Sequence, residues 1–270
     1  MQPESYVHGY HPREKERLQD QAGSLVELLH SDTFYPAGST VLEVGCGVGA
    51  QTITLAQRSP DAQFISFDRS ADSLAEAKRR IDRAGLRNVE FRQEDLFNLP
   101  FAAESFDHVF VCFVLEHLAQ PLEALAILKR LLKPGGSLTA IEGDHGSTFF
   151  YPRSSLADAA IWSLVELQAR GGGDALIGRR LYPLLVAADL KQIHVSPRMV
   201  YVDSSRPDLV EGFTKKTFTA MIEGVREPAI AGRLLDAKTF DTGIRDLYRT
   251  AASDGVFCYT FFKGVGFKPA

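Results

Sequence analysis

A doubly wound α/β fold is expected from three features of this 270-residue chain. Short apolar runs alternate with amphipathic helical stretches five times between Thr40 and Glu142, and the first run breaks into a glycine-rich turn. The composition, 45% hydrophobic and 24% charged, suits one substantial buried core and excludes a disordered chain. Strand followed by helix, repeated, implies a parallel sheet covered on both faces by right-handed crossovers. The expected architecture is a single domain over 1–270, with a mostly parallel seven-stranded sheet and a helical cap inserted before the last strand.

Residues 12–30 carry Leu18, Ala22, Leu25, Val26 and Leu29 at helical spacing after Pro12, which predicts an amphipathic helix lying on the core. With the residues before it, this segment, 1–30, is expected to form a lid and helix, Tyr6, Tyr10 and His11 folding over a bound ligand. Thr40 to Val44 is the first strand. A glycine turn and a helix from about Ala50 to Arg58 follow. Phe64 to Phe67 is the second strand, and Ser70 can cap a helix whose Leu74, Ala77, Ile81 and Ala84 share a face, ending at Gly85.

Val89 to Arg92 is the third strand, and His108 to Phe113 is apolar enough to be buried on both faces. A helix over about Leu122 to Leu132 stops at Lys133-Pro134-Gly135-Gly136, and Ser137 to Glu142 is the fifth strand. Beyond residue 150 come helices at Leu156 to Gln168 and Arg179 to Ala188, separated by Gly171, Gly172 and Gly173, with Pro183 in an early turn or at a kink. Ile193 to Val202 is the sixth strand, and Val256 to Phe262 the last. The stretch 204–254 between them is helical in pattern and too short for a core of its own, so it is read as a cap over a site.

The balance of charges excludes several classes. With 30 Lys and Arg against 34 Asp and Glu, net charge −4, and no basic cluster with interleaved aromatics, nucleic acid is not an expected partner. Apolar runs such as Val109 to Leu115 fall far short of the roughly 20 residues needed for a membrane span. The charged N-terminus has no signal-peptide pattern, and Cys46, Cys112 and Cys258 are dispersed among strand-like residues as reduced thiols would be, so a cytoplasmic protein is expected. No CxxC or HxxxH spacing suggests a metal.

The chemistry concentrates around Val41-Leu42-Glu43-Val44-Gly45-Cys46-Gly47-Val48-Gly49. A strand that ends in glycines and opens a helix lets the backbone approach a nucleotide-like ligand, because a Cβ there would collide with it. Gly45, Gly47 and Ala50 also satisfy the G-x-G-x-x-A dinucleotide form, so the glycines alone leave the nucleotide open. Asp68, 21 residues after Gly47 at the end of the second strand, is placed to accept both hydroxyls of a ribose; the competing reading is a helix N-terminal carboxylate. Asp95 follows the third strand, where it either accepts an adenine amino proton or is a solvated loop acid.

The ordered motifs VLEVGCGVG, FDRS, EDLFNLPF, FDHVFVCFVLEHL and LKPGG, spread over residues 40–142, resemble the class I S-adenosylmethionine-dependent methyltransferases, particularly the UbiE-like small-molecule branch. The resemblance implies a Rossmann-like fold in which 40–142 is the cofactor-binding half. It implies that Gly45, Cys46 and Gly47 face the methionine portion of S-adenosylmethionine, with Glu43 holding the loop and the amino group. It further implies Asp68 on the ribose, Asp95 and the Leu96 backbone on adenine, and Phe113 beside the sulfonium. Arg69 departs from the commoner small or apolar residue, and either stacks on adenine or faces solvent.

Methyl transfer from a sulfonium needs alignment above all, and a base only where the nucleophile arrives protonated. Candidate bases lie after strands four and five, where open α/β sheets bind ligands: Glu116 and His117, then Glu142, Asp144 and His145 between glycines. His145 titrates nearest neutrality, and a paired carboxylate is expected to orient it. The competing reading of the second group is a polar loop, and of the first, packing and helix initiation. Phe149, Phe150, Tyr151, Trp162, Tyr201, Phe213 and Phe218 are expected to be mostly core, some lining an apolar pocket for a small-molecule methyl acceptor. Two alternatives stand beside this reading: a non-catalytic S-adenosylmethionine-binding subunit, and a nicotinamide-dependent oxidoreductase. Oligomeric state has no signature in the sequence.

Overall fold

The computed structural model describes residues 25–270. Seven strands form one sheet: β1 (Thr40–Val44), β2 (Gln63–Asp68), β3 (Val89–Gln93), β4 (Phe106–Cys112), β5 (Leu132–Tyr151), β6 (Lys191–Val202) and β7 (Val256–Phe267). Their order is β3-β2-β1-β4-β5-β7-β6, and β3, β2, β1, β4 and β5 pair in parallel. Gly136 bonds Lys268 while Ser147 bonds Thr260, so β7 runs antiparallel to β5. This is the doubly wound, mostly parallel α/β sheet that the alternating pattern predicts.

The helices are α1 (residues 25–30), α2 (Ala50–Arg58), α3 (Ala71–Arg83), α4 (Pro121–Leu131), α5 (Ser155–Arg170), α6 (Leu181–Ala187), α7 (Pro207–Leu209), α8 (Ala220–Gly224), α9 (Arg226–Ala231) and α10 (Ala237–Arg249), with a π-helix over Val210–Thr219. Ser70 caps α3 as its sequence suggests, its hydroxyl accepting the Ser73 N–H at 3.2 Å, a contact worth about 1 kcal/mol. Gly85 closes the helix at φ +71°, a conformation that costs glycine little. Pro183 falls in the first turn of α6, so no kink arises. The proposed N-terminal lid, with Tyr6, Tyr10 and His11, lies outside the described residues.

The described chain forms two compact units. The first comprises Leu29–Glu142, Ile177–Pro197 and Phe262–Ala270; the second comprises residues 25–28, Gly143–Leu176 and Arg198–Phe261. The first unit's core packs Leu42, Val44, Val109, Val111 and Leu138 from the strands against Leu125 and Leu128 of α4 and Leu181 and Leu185 of α6. Each such fully buried side chain contributes about 1.5–3 kcal/mol. That β1 and the inner part of β4 are buried on both faces explains why they read as continuous apolar runs. The second unit packs α10 on α5 closely: a Cβ on Gly243 would strike the Leu156 carbonyl. Asp246 accepts the hydroxyl of Ser154, the α5 cap.

Two sequence expectations are corrected. β5 does not end at Glu142 but runs on to Tyr151, so Glu142 to Gly146 lie in a strand, not a loop. Pairing with β7 overrides the turn propensity of Gly143, Asp144 and Gly146. Four of the seven aromatics expected in the core, Phe149, Tyr151, Trp162 and Tyr201, are exposed. Phe149 and Tyr151 share the outward side of the alternating end of β5.

Candidate functional site

The glycine loop joins β1 to α2, and each of its glycines answers a different demand. Gly45 has φ +64°, and a Cβ there would sit 2.7 Å from Val114 Cγ2, so the loop after β4 packs directly on it. Gly47, at φ +52°, has no atom of the described residues within 4 Å of where its Cβ would be: it opens a cradle. Gly49, at φ +77°, faces Ala77 of α3, where a Cβ would meet the Ala77 Cβ at 3.0 Å. Left-handed backbone at all three is tolerated by glycine and costs other residues about 1–2 kcal/mol each.

Asp68, at the end of β2, holds this loop. Its Oδ2 accepts the Gly47 N–H at 2.9 Å and its Oδ1 the Ser70 N–H at 2.8 Å. One carboxylate thus serves the glycine turn and the start of α3, and its remaining lone pairs can accept further donors. The Cys46 N–H donates to the Phe67 carbonyl at 2.9 Å, which fixes the other side of the turn, and the Cys46 side chain is buried. Cys112 and Cys258 are likewise buried and free.

Glu43 stands opposite Ser66 in the parallel β1/β2 register, and the Ser66 hydroxyl donates to it at 2.6 Å. Burial pushes the Glu43 carboxyl up to about 7, with the Ser66 hydrogen bond opposing the shift. At the end of β3, Asp95 accepts the Phe97 N–H at 3.0 Å, capping a short 3₁₀ turn over Leu96–Asn98. Leu96 is buried, whereas Arg69 is exposed, its carbonyl bonded by Gln93 Nε2.

After β4 the chain turns sharply. Phe113 takes φ +57°, unusual for a bulky residue, while its N–H remains on the Ile141 carbonyl at 2.9 Å. A 3₁₀ turn over Leu115–His117 follows, and His117 Nε2 lies 3.4 Å from Glu116 Oε1. The fully buried Glu142 accepts the N–H groups of Val114 and Leu115 on Oε1, at 3.1 and 2.8 Å. Burial first, then the nearby Glu116, hold its carboxyl well above the usual range.

In the second unit, Asp144 and His145 are both buried on β5, and strand alternation turns them to opposite faces. Asp144 Oδ1 accepts the Gly146 N–H at 3.1 Å. His145 Nδ1 lies 3.1 Å from the Ala175 carbonyl and 3.2 Å from the Tyr259 hydroxyl. A carbonyl can only accept, so the network assigns the proton to Nδ1 and leaves the lone pair of the neutral ring on Nε2, the tautomer a general base requires. The orienting groups on Nδ1 are thus a carbonyl and a phenol, where the sequence suggested a carboxylate.

Tyr259 was not singled out by the sequence: 114 residues separate it from His145, and only strand pairing brings them together. Its ring meets His145 edge-on, centroids 5.6 Å apart, and its hydroxyl occupies the space a Cβ of residue 143 would need. Phe218 lies 6.1 Å from His145 and 4.7 Å from Phe257. The π-helix brings Phe213 and Phe218 to the same aromatic cluster, 6.5 Å apart, and Thr217 Oγ1 donates to the Gly212 carbonyl five residues back. At about 100° per residue an α-helix would turn two such positions some 140° apart; the wider i to i+5 winding aligns them.

A family model described as a methyltransferase domain matches residues 36–180, from before β1 to the start of α6. The chain belongs to the methyltransferase-domain family. The family is the class I, S-adenosylmethionine-dependent one, as the motifs implied. The chain is 33% identical over 202 residues to an uncharacterised 37.1 kDa protein in transposon Tn4556 of Streptomyces fradiae, a match covering 74% of this chain and 57% of that one. It is 32% identical over 118 residues to a demethylmenaquinone methyltransferase of Lactococcus lactis, covering 43% and 47%. The chain thus spans about half the length of the curated relatives it matches. Among solved structures, the YcgJ protein of Bacillus subtilis superposes with a TM-score of 0.58 at 15% identity, covering 93% of this chain and 98% of that one, a likeness of fold. No helix among the described residues is long and apolar enough to cross a membrane.

Proposed function

We propose that the protein transfers a methyl group from S-adenosylmethionine to a small-molecule acceptor. The observation that carries this reading is the cradle at Gly47: a left-handed glycine with open space at its Cβ position, tied through its N–H to an acid at the end of β2. These residues fit the cofactor. Gly45, Cys46 and Gly47 would lie along its methionine portion, and Glu43 would receive the ammonium group. Asp68 would take the ribose hydroxyls with its remaining lone pairs, Asp95 and the Leu96 backbone would meet the adenine, and Arg69 and Phe113 would border the two ends. When bound, S-adenosylmethionine supplies a methyl group on an already activated sulfonium leaving group.

The protein's own task is then alignment and, for a protonated nucleophile, proton removal. His145 is the base on this reading, because the Ala175 carbonyl holds its Nδ1 proton and leaves Nε2 to accept one. The aromatic surroundings of His145, from Phe218 and Tyr259, suit an acceptor with an apolar body and one hydroxyl or amine. Asp144 fixes the backbone of the same strand, and His117 with Glu116 would serve the turn after β4. The name of the Lactococcus relative supports an acceptor of small-molecule size. The helices between β6 and β7 would cap the acceptor, and the cytoplasm is the proposed location.

Two measurements test this. Calorimetric titration should show saturable binding of S-adenosylhomocysteine and none of NAD or NADP; the reverse result overturns the reading. Incubation with S-adenosylmethionine and fractionated metabolite extract should release S-adenosylhomocysteine in particular fractions. Binding without release from any fraction would support a cofactor-sensing subunit instead.

A further inference from the structure

We propose that Glu142 is a positioning residue that sets the wall of the cofactor cradle, and not a proton acceptor. The inference rests on the cofactor reading of the glycine loop. Its observation is separate: the Glu142 carboxylate grips the backbone of the turn after β4. Oε1 accepts the N–H groups of Val114 and Leu115, and the N–H of Glu116 turns toward the same carboxylate. Successive N–H groups at the head of a short helical turn form a concave anion site, and here a side chain of the protein fills it.

What the grip controls is the Gly45–Val114 contact. Val114 Cγ2 stands 2.7 Å from where a Cβ of residue 45 would be, so a shift of this turn toward β1 presses on the glycine loop. The same turn contains Phe113 in its left-handed conformation, which is strained for a non-glycine residue and persists only if its surroundings hold it. The Ile141 carbonyl holds it from one side and Glu142 holds the next two residues from the other. Oε1 is engaged by two N–H groups and Oε2 is buried without a hydrogen-bond partner among the described residues, so neither oxygen of the carboxyl is exposed to collect a proton from an acceptor. Its chemistry is that of a fixed hydrogen-bond acceptor, which an amide oxygen also supplies.

Glu142→Gln and Glu142→Asp separate the two roles, because Gln keeps the acceptor at the same reach and Asp keeps the acid but withdraws it by one methylene. The readouts are the dissociation constant for S-adenosylhomocysteine and the melting temperature of each unliganded variant. Positioning predicts that Glu142→Gln binds within about threefold of wild type, whereas Glu142→Asp binds at least tenfold more weakly. The proposal is overturned if both variants bind like wild type, if both weaken equally, or if Asp binds normally and Gln does not. Glu142→Asp that melts lower yet binds normally assigns Glu142 to stability alone, and also overturns it. Failure of wild type to bind S-adenosylhomocysteine would instead remove the cofactor reading beneath it.

Discussion

Asp68 and Gly47 are joined by a 2.9 Å hydrogen bond from the glycine N–H to the carboxylate, so the acid that ends β2 also fixes the turn that ends β1. The 21-residue spacing between them thus has a structural meaning of its own. Asp68→Ala removes the acceptor for two backbone N–H groups, at Gly47 and Ser70. Affinity for S-adenosylhomocysteine should fall by about 1.5–3 kcal/mol, the range for hydrogen bonds to a charged group. Asp68→Asn, with one acceptor oxygen left, should fall between. Calorimetry on the three proteins checks the order, and an unchanged constant in Asp68→Ala would show that the loop is held without it.

Gly45→Ala and Gly47→Ala should fail in different ways. The first sets a Cβ against Val114 in addition to the left-handed backbone, so it should lower the melting temperature markedly. The second meets nothing and bears only the backbone cost of about 1–2 kcal/mol, so it should fold but lose cofactor affinity. Equal melting temperatures would contradict the packing argument.

The pH dependence of stability should combine two opposed groups in the first unit. Glu43, raised from 4.5 to about 7, contributes stability that is present below pH 4.5 and lost as pH rises through 7. His30 is lowered from 6.5 to about 4 by burial, chiefly, against the hydrogen bond from its ring to Gln51; its contribution is present above 6.5 and lost as pH falls toward 4. Each amounts to about 3 kcal/mol as an upper figure, and the slopes oppose one another between pH 4.5 and 6.5. Glu43→Gln should therefore expose the His30 slope, stability rising with pH across 4 to 6.5. Urea midpoints at half-unit intervals measure it; parallel profiles for wild type and variant would count against the assignment.

Once an acceptor is known, His145→Ala should reduce turnover by about two to four orders of magnitude with cofactor affinity kept within a few-fold. Tyr259→Phe should cost much less, because the Ala175 carbonyl still holds the Nδ1 proton. A loss in Tyr259→Phe as large as in His145→Ala would make the phenol the more important group.

The parallel half of the sheet is legible in the sequence, whereas the chain beyond Glu142 is far less so. β1 and α2 can be read to the residue because a doubly buried strand, a glycine turn and a helix each leave a local signature. The continuation of β5 cannot, since Gly143, Asp144 and Gly146 read as a turn until Tyr259 and Thr260 arrive from the far end of the chain. In the same way the place of Asp68 at the end of β2 was legible, but its grip on Gly47 was not, and Tyr259 carried no local signal. Contacts across 114 residues leave no periodicity to read. The helical character of the stretch after Pro207 was plain, but its π winding was hidden, because both ladders draw on the same residue types.

That winding has a consequence for how the protein can diversify. Phe213 and Phe218 meet the same ring cluster only because ten residues, Val210–Thr219, are spread over wide turns. Wound as an α-helix, the same ten residues would turn Phe218 some 140° from Phe213 and out of the cluster. Substitution here changes the chemistry of the cluster; a change of winding changes which residues form it. Winding is therefore the coarse adjustment of this aromatic cluster, and replacement of individual side chains the fine one.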